Sequence, residues 1–115
     1  MTRLEDLSKQ RGRAHARLVA LDSKVYKAFL QMEKAAFSDG ALSKRQKELI
    51  AVGVSVVRDC ESCMQWHIEQ ALGAGAGFDE VLEAIEVGIE MGGGPATVSA
   101  RFALEVLDKR LGSRS

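Results

Sequence analysis

The chain has 115 residues, a length typical of one domain, and its sixteen basic and sixteen acidic side chains cancel. The balanced charge, with no Lys/Arg block free of acidic neighbours, argues against nucleic acid as a partner. Hydrophobic residues make up 46% of the chain but aromatic residues only 5%, and this alanine-rich composition favours closely packed helices over a sheet sandwich.

The N-terminal part of the chain predicts two helices. Residues 1–6 lack the apolar core of a signal peptide, and no later segment has about 18 uninterrupted apolar residues, so we expect a cytoplasmic protein without a membrane partner. Residues 4–20 are highly charged, with an irregular apolar face. Asp22 is a candidate N-cap for a second helix that ends near Ala36, because apolar residues recur there at helical spacing. They are Val25, Phe29, Met32 and Ala36.

A third helix is predicted over residues 44–58. Ser43 followed by Gln46 fits a capping box, in which each side chain binds the other residue's backbone N–H. From Leu49 to Val57 almost nothing is polar. A helix that is apolar on every side belongs in a core, so we expect this stretch to be buried all round.

The remaining sequence predicts three more segments of helix. Asp59 is a candidate N-cap for a helix over residues 60–73, which glycines then terminate. Acidic residues open another helix over residues 79–91. Three glycines and Pro95 break the chain, and proline suits the start of a last helix over residues 96–111.

Together these elements predict a single all-α domain over residues 1–115. We expect a bundle of about five or six helices whose central antiparallel pair carries the functional residues. Thin, alanine-rich helices often complete their burial against another subunit, so we also expect an oligomer of identical chains.

The chain has two cysteines, Cys60 and Cys63. Two cysteines are too few for a secreted disulfide scaffold and are typical of redox or metal chemistry inside a cell. With His67 they recur at helical spacing, which places two thiols and an imidazole on one face. At a helix N-terminus the unpaired N–H groups and the helix dipole favour a thiolate, the reactive form of cysteine.

The spacing also suggests roles for these residues. His67 lies one turn from Cys63, which makes Cys63 the candidate nucleophile. His67 would accept the Cys63 proton, the thiolate would attack a peroxide oxygen or a disulfide sulfur, and Cys60 would close an internal disulfide. An alternative assignment exchanges the two cysteines.

Glu48 is the fourth candidate catalytic residue. If the helices on either side of Asp59 pack as an antiparallel hairpin, Glu48 and His67 lie at comparable distances from the turn and become neighbours. Glu48 shares a helical stripe with apolar positions, so its side chain is expected to point inward and to exchange protons with His67. The stripe contains Val52, Ser55 and Val56.

The sequence contains a glutamate followed by a spacer and then C-x-x-C-x-x-x-H. With this motif it resembles the alkylhydroperoxidase-D-like proteins of the carboxymuconolactone decarboxylase superfamily. Here Glu48, Cys60, Cys63 and His67 supply the motif, with eleven residues between Glu48 and Cys60. The resemblance covers about residues 42–107. Segments that look like those of the family are Leu42-Ser43-Lys44, residues 71–75 and residues 91–95.

The resemblance implies an all-helical fold, assembly into homotrimers or homohexamers, and reduction of hydroperoxides. The electrons would come from a dithiol such as a lipoyl protein or a thioredoxin-like protein, with the Cys60–Cys63 disulfide in place of a cofactor. Peroxidases of this family often have histidine before the second cysteine. This chain has Ser62 there, so a relay through that position is expected to be weak or absent. The decarboxylase branch generally lacks the cysteine pair, which argues against that activity.

Two alternatives remain open at the level of sequence. A structural or regulatory zinc site could use Cys60, Cys63 and His67, with Glu48 or His15 as a fourth ligand. A non-catalytic oligomeric module could also have inherited the motif. Thiol titration separates the three hypotheses, because only a redox pair cycles between dithiol and disulfide and only zinc protects the thiols until it is chelated.

Overall fold

A computed structural model of the chain describes residues 2–112, which contain six α helices and no strand. The all-α prediction is therefore confirmed. The helices are α1 (Arg3–Ala20), α2 (Lys24–Ala36), α3 (Lys44–Val57), α4 (Glu61–Gly73), α5 (Phe78–Gly92) and α6 (Gly94–Leu111). They form two compact units, one ending at Ser38 and the other beginning at Asp39. The expectation of a single domain over residues 1–115 stays a prediction.

In the first unit, Ser23 rather than Asp22 caps α2. The Ser23 hydroxyl accepts a hydrogen bond from the backbone N–H of Tyr26 at 3.1 Å. The predicted cap was wrong by one residue because Asp22 has another role. Its φ of 56° is left-handed, and its N–H bonds to the carbonyl of Val19, so Asp22 terminates α1.

The second unit begins with the predicted capping box. The hydroxyl of Ser43 accepts from the N–H of Gln46 at 3.1 Å, and the side-chain oxygen of Gln46 accepts from the N–H of Ser43 at 2.8 Å. Two N–H groups that the helix itself leaves unpaired are thereby satisfied. The start of α3 at Lys44 is fixed by these local bonds.

The expectation that α3 is buried on every side is wrong. Its inward stripe is buried, but Ile50 and Val54 are 56% and 51% exposed. Within the second unit α3 packs against α4, α5 and α6, and these helices leave its remaining face open. That face and α5 line an apolar groove of about 620 Å³. Its exposed apolar side chains are Ile50, Val54, Val57, Val87 and Met91.

Two glycines allow α3 and α5 to approach closely. A Cβ atom at Gly88 would lie 2.8 Å from the carbonyl oxygen of Gly53 and 2.9 Å from Cβ of Val56. Real Cβ atoms do not tolerate such distances, so any larger residue at Gly88 would push α5 away from α3. The helix that carries Glu48 is thus held by backbone contact as well as by side chains.

The starts of α5 and α6 agree with the predicted ones to within two residues. Glu80 accepts from the N–H of Gly77 at 3.1 Å at the start of α5. The last helix begins at Gly94 instead of Ala96, with Pro95 in its first turn, where a missing N–H costs nothing. Among the described residues, no helix has both the length and the apolarity needed to cross a bilayer.

Candidate active site

The turn between α3 and α4 sets the position of the cysteines. The N–H of Cys60 bonds to the carbonyl of Ser55 at 3.1 Å, and the N–H of Asp59 bonds to that of Val56 at 3.2 Å. This pair of bonds is a Schellman motif, in which Asp59 takes the left-handed position with a φ of 52°. The motif reverses the chain immediately before the first cysteine.

A residue from α6 holds this turn in place. The hydroxyl of Ser99, which is buried, donates to a carboxylate oxygen of Asp59 at 2.7 Å. Aspartate tolerates the left-handed region better than most residues, and the bond from Ser99 adds a further constraint. The sequence contains no local signal for this contact, because Ser99 lies forty residues away.

Cys60, not Asp59, is the N-cap of α4. Its sulfur accepts from the N–H of Cys63 at 3.2 Å. The predicted cap was wrong because Asp59 is committed to ending α3, which leaves the next residue to begin α4. The cysteine pair still lies at the helix N-terminus, as predicted, with Cys60 closer to the unpaired N–H groups.

The two cysteines form a disulfide across this first turn, with a Cα–Cα distance of 5.2 Å. Both are partly accessible. The prediction that both sulfurs lie together on one face is confirmed by this bond. The order in which the two sulfurs react stays a prediction.

Glu48 and His67 meet across the α3–α4 pair. Nδ1 of His67 lies 2.7 Å from Oε1 of Glu48, and the two side chains are 14% and 2% exposed. The predicted pairing and the inward orientation of Glu48 are confirmed. Since His67 follows Cys63 by one helical turn, this hydrogen-bonded imidazole lies on the face of α4 that carries the cysteine sulfurs.

Two further polar side chains of the site were not predicted. Nζ of Lys44 lies 2.7 Å from Oε2 of Glu48 and 3.2 Å from the side-chain oxygen of Gln70. Lys44 precedes Glu48 by four residues, a spacing that brings opposite charges together on a helix. That signal was available in the sequence. The contact with Gln70 was not, because it depends on how α4 packs against α3.

These contacts explain how Glu48 tolerates burial. An isolated carboxylate inside a protein is costly, whereas one that is paired and hydrogen-bonded is tolerated. Each oxygen of Glu48 has its own partner, Lys44 on one side and His67 on the other. A buried carboxylate can therefore be accommodated at this position.

The zinc hypothesis gains no support from this geometry. Across residues 2–112, no three side chains of histidine, cysteine, aspartate or glutamate are placed to hold a metal ion. His15, considered as a fourth ligand, belongs to the unit that ends at Ser38 and lies with Nδ1 2.5 Å from the Tyr26 hydroxyl.

Known proteins are similar to this chain in sequence and in fold. Residues 23–106 match the model of the carboxymuconolactone decarboxylase family. A Paracoccus denitrificans protein named "Uncharacterized protein 4 in cox locus" is 46% identical over 82 residues, which cover 71% of this chain and 74% of that protein.

Solved structures with a similar fold include proteins of the same family. The crystal structure of apo-lpg0406, a carboxymuconolactone decarboxylase family protein from Legionella pneumophila, is similar with a TM-score of 0.75 and 30% identity, covering 95% of this chain and 93% of that one. A carboxymuconolactone decarboxylase family protein from Thermotoga maritima, described as "possibly involved in antioxidative response", has a TM-score of 0.73 and 26% identity, covering 77% of this chain and 92% of that one. By its sequence match and its helical fold, this chain belongs to the carboxymuconolactone decarboxylase family.

Proposed function

We propose that this chain is a thiol peroxidase or disulfide oxidoreductase that reduces hydroperoxides with electrons from an external dithiol. The main support is the position of the Cys60–Cys63 disulfide at the start of the helix that also carries His67. The imidazole of His67 is hydrogen-bonded to the buried carboxylate of Glu48. Disulfides are rare in cytosolic proteins unless they are transient and catalytic. The suggested antioxidative role of the Thermotoga protein agrees with this reading.

The proposed oxidation begins at Cys63. His67 accepts the proton of the Cys63 thiol, and the thiolate attacks the terminal oxygen of a hydroperoxide, which breaks the O–O bond. Cys63 becomes a sulfenic acid, and the leaving alkoxide takes the proton from His67 to give an alcohol. The sulfur is oxidised by two electrons and the peroxide is reduced by two.

Cys60 then resolves the sulfenic acid. Its sulfur attacks that of Cys63, the Cys60–Cys63 bond forms, and water leaves with the Cys60 proton. Both sulfurs lie within one helical turn, so the step needs no large movement of the helix. An external dithiol reduces this disulfide by two successive thiol–disulfide exchanges and is itself released as a disulfide.

We propose a lipoyl protein or a thioredoxin-like protein as the electron donor, and the cytoplasm as the location. A disulfide-containing substrate in place of the peroxide would use the same two sulfurs. We also propose that the chain assembles with identical copies. Support for assembly comes from the exposed apolar groove between α3 and α5, since large apolar patches mark interaction surfaces on soluble proteins.

A thiol assay by mass spectrometry tests the proposed function. The reduced protein is treated with hydrogen peroxide or an organic hydroperoxide, and then with reduced lipoamide or thioredoxin. We expect stoichiometric loss of two thiols, recovery with a dithiol, and continuous peroxide consumption when both reagents are present. A pair that oxidises but is not re-reduced, or thiols that react only after treatment with a chelator, would contradict the proposal.

A further inference from the structure

Lys44 connects the surface of the protein to the buried carboxylate of the site. Its side chain is 39% exposed, whereas Glu48 is 2% exposed. We propose that Lys44 is a positioning residue: it holds Glu48 so that Oε1 receives Nδ1–H of His67, which leaves Nε2 as the proton acceptor for a cysteine thiol. The kinetic part of this inference rests on the proposed function, while its structural part does not.

The backbone of Lys44 is held in place independently of the contacts that its side chain makes. Its N–H donates to a carboxylate oxygen of Asp39 at 2.7 Å. Lys44 is also the first residue of α3, directly after Ser43 of the capping box. The flexible side chain of lysine therefore extends from a rigid origin, which reduces the freedom it must lose at its tip.

Two acceptors hold the tip of the side chain. Nζ lies 2.7 Å from Oε2 of Glu48 on the same helix and 3.2 Å from the side-chain oxygen of Gln70 on α4. An ammonium group only donates, so both oxygens accept from it. Gln70 lies three residues after His67, and Lys44 thus links the two helices at the level of the imidazole.

The donor and acceptor pattern selects one form of the imidazole. Oε2 of Glu48 accepts from Lys44, and Oε1 faces Nδ1 of His67 at 2.7 Å. A carboxylate cannot donate, so Nδ1 must carry the proton of this bond. In a neutral imidazole the other nitrogen, Nε2, is then the acceptor, which is the form that a general base needs.

Loss of the ammonium group would weaken this selection. Without a donor at Oε2, the carboxylate of Glu48 can rotate about its last torsion, and the bond to Nδ1 is no longer held in one geometry. The preference for a proton at Nδ1 of His67 would then weaken, and the population of the form protonated at Nε2 would rise. Lysine removal would act on the cysteines only through Glu48 and His67.

The test combines NMR with kinetics on three variants of the full chain. Lys44→Met removes the charge but keeps the length, Lys44→Arg keeps a cation, and Lys47→Met is the matched control on the same helix. Nitrogen-15 shifts of the histidine rings are recorded near pH 8, where an ordinary imidazole is neutral. The chain has two histidines, and His15 is the internal reference.

We expect His67 to be protonated mainly at Nδ1 in the native chain, in Lys47→Met and in Lys44→Arg, and to be a mixture of both forms in Lys44→Met. The kcat/KM for peroxide should fall about tenfold in Lys44→Met, a fraction of the usual contribution of a general base. Lys44→Arg should retain about half of the native value, because arginine keeps the charge but not the shape.

If Lys44→Met fails to fold, Gln70→Leu takes its place and should shift the same populations to a smaller extent. An unchanged Nδ1 proton in a folded Lys44→Met or Gln70→Leu protein would overturn the inference. Absence of peroxide turnover in the native chain would overturn the proposed function. The NMR result would still decide whether Lys44 positions Glu48. The two failures are therefore distinguishable.

Discussion

Oε1 of Glu48 and Nδ1 of His67 lie 2.7 Å apart, although nineteen positions separate the two residues in the sequence. The bond joins α3 to α4, the helix whose first turn carries the disulfide. In the proposed mechanism, a carboxylate in this position orients the imidazole, as in other paired acid–base sites.

Replacing Glu48 with glutamine should slow peroxide-dependent oxidation of the thiols by about 100-fold, the scale of a typical general-base contribution. Glutamine keeps the size of the side chain but not its charge. The rate of thiol loss is measured by stopped flow over a range of pH values. Glu86→Gln, on the exposed part of α5, is the control. A rate and pH profile equal to those of the control would assign Glu48 a purely structural role.

Single serine variants of the cysteines should reveal which sulfur attacks first. We expect Cys60→Ser, treated with peroxide and dimedone, to accumulate labelled sulfenic acid at Cys63, because His67 is one turn away. Cys63→Ser should be labelled slowly and should consume no peroxide in turnover. The measurement is the mass and position of the adduct.

The opposite labelling pattern would assign the attack to Cys60. The structure gives that alternative a physical basis, since the Cys60 sulfur accepts the N–H of Cys63 at 3.2 Å and caps the helix. Backbone donors at a helix start favour a thiolate. The experiment therefore distinguishes activation of Cys63 by the base His67 from activation of Cys60 by the backbone N–H groups at the start of α4.

Local chemistry made much of the site predictable from the sequence. The capping box at Ser43 and the helical stripe around Glu48 depend on residues three or four apart, whose relative positions a helix fixes. The spacing of Cys60, Cys63 and His67 works in the same way. The Glu48–His67 contact needed one further assumption, an antiparallel hairpin, and α3 and α4 satisfy it.

The residues that escaped prediction depend on tertiary packing or on competition between neighbours. Ser99 and Gln70 reach the site from elements whose packing no local pattern encodes. Asp59 and Cys60 both have side chains able to cap a helix, and the choice between them was decided by the end of α3. Because α3 has apolar residues on every side, its sequence did not indicate which face stays exposed within the second unit.

Close packing of α3 on α5 gives a prediction about stability. Gly88→Ala should lower the free energy of unfolding by about 1 to 3 kcal/mol, the usual cost of overpacking, because the new Cβ would lie 2.8 Å from a backbone oxygen of Gly53. Gly73→Ala is the control, since a Cβ there meets nothing within 4 Å. Urea unfolding of both variants measures the difference. Equal midpoints would show that the helices separate without cost.

The open groove between α3 and α5 leads to a prediction about assembly. Val54 is 51% exposed in the wall of the groove, and we expect a second copy of the chain to cover it. Val54→Asp should then convert an oligomer to monomers, because a contact that buries an unpaired carboxylate costs several kcal/mol. Light scattering during size-exclusion chromatography gives the mass of each species.

Val98→Asp is the matched control for this experiment. Val98 is 59% exposed on α6 and does not line the groove, so the same substitution there should leave the mass unchanged. A native chain that stays monomeric at high concentration would remove the need for a partner on this face. An oligomer that persists in Val54→Asp would place the contact elsewhere, because a charged side chain in the middle of a covered apolar groove has no acceptable position.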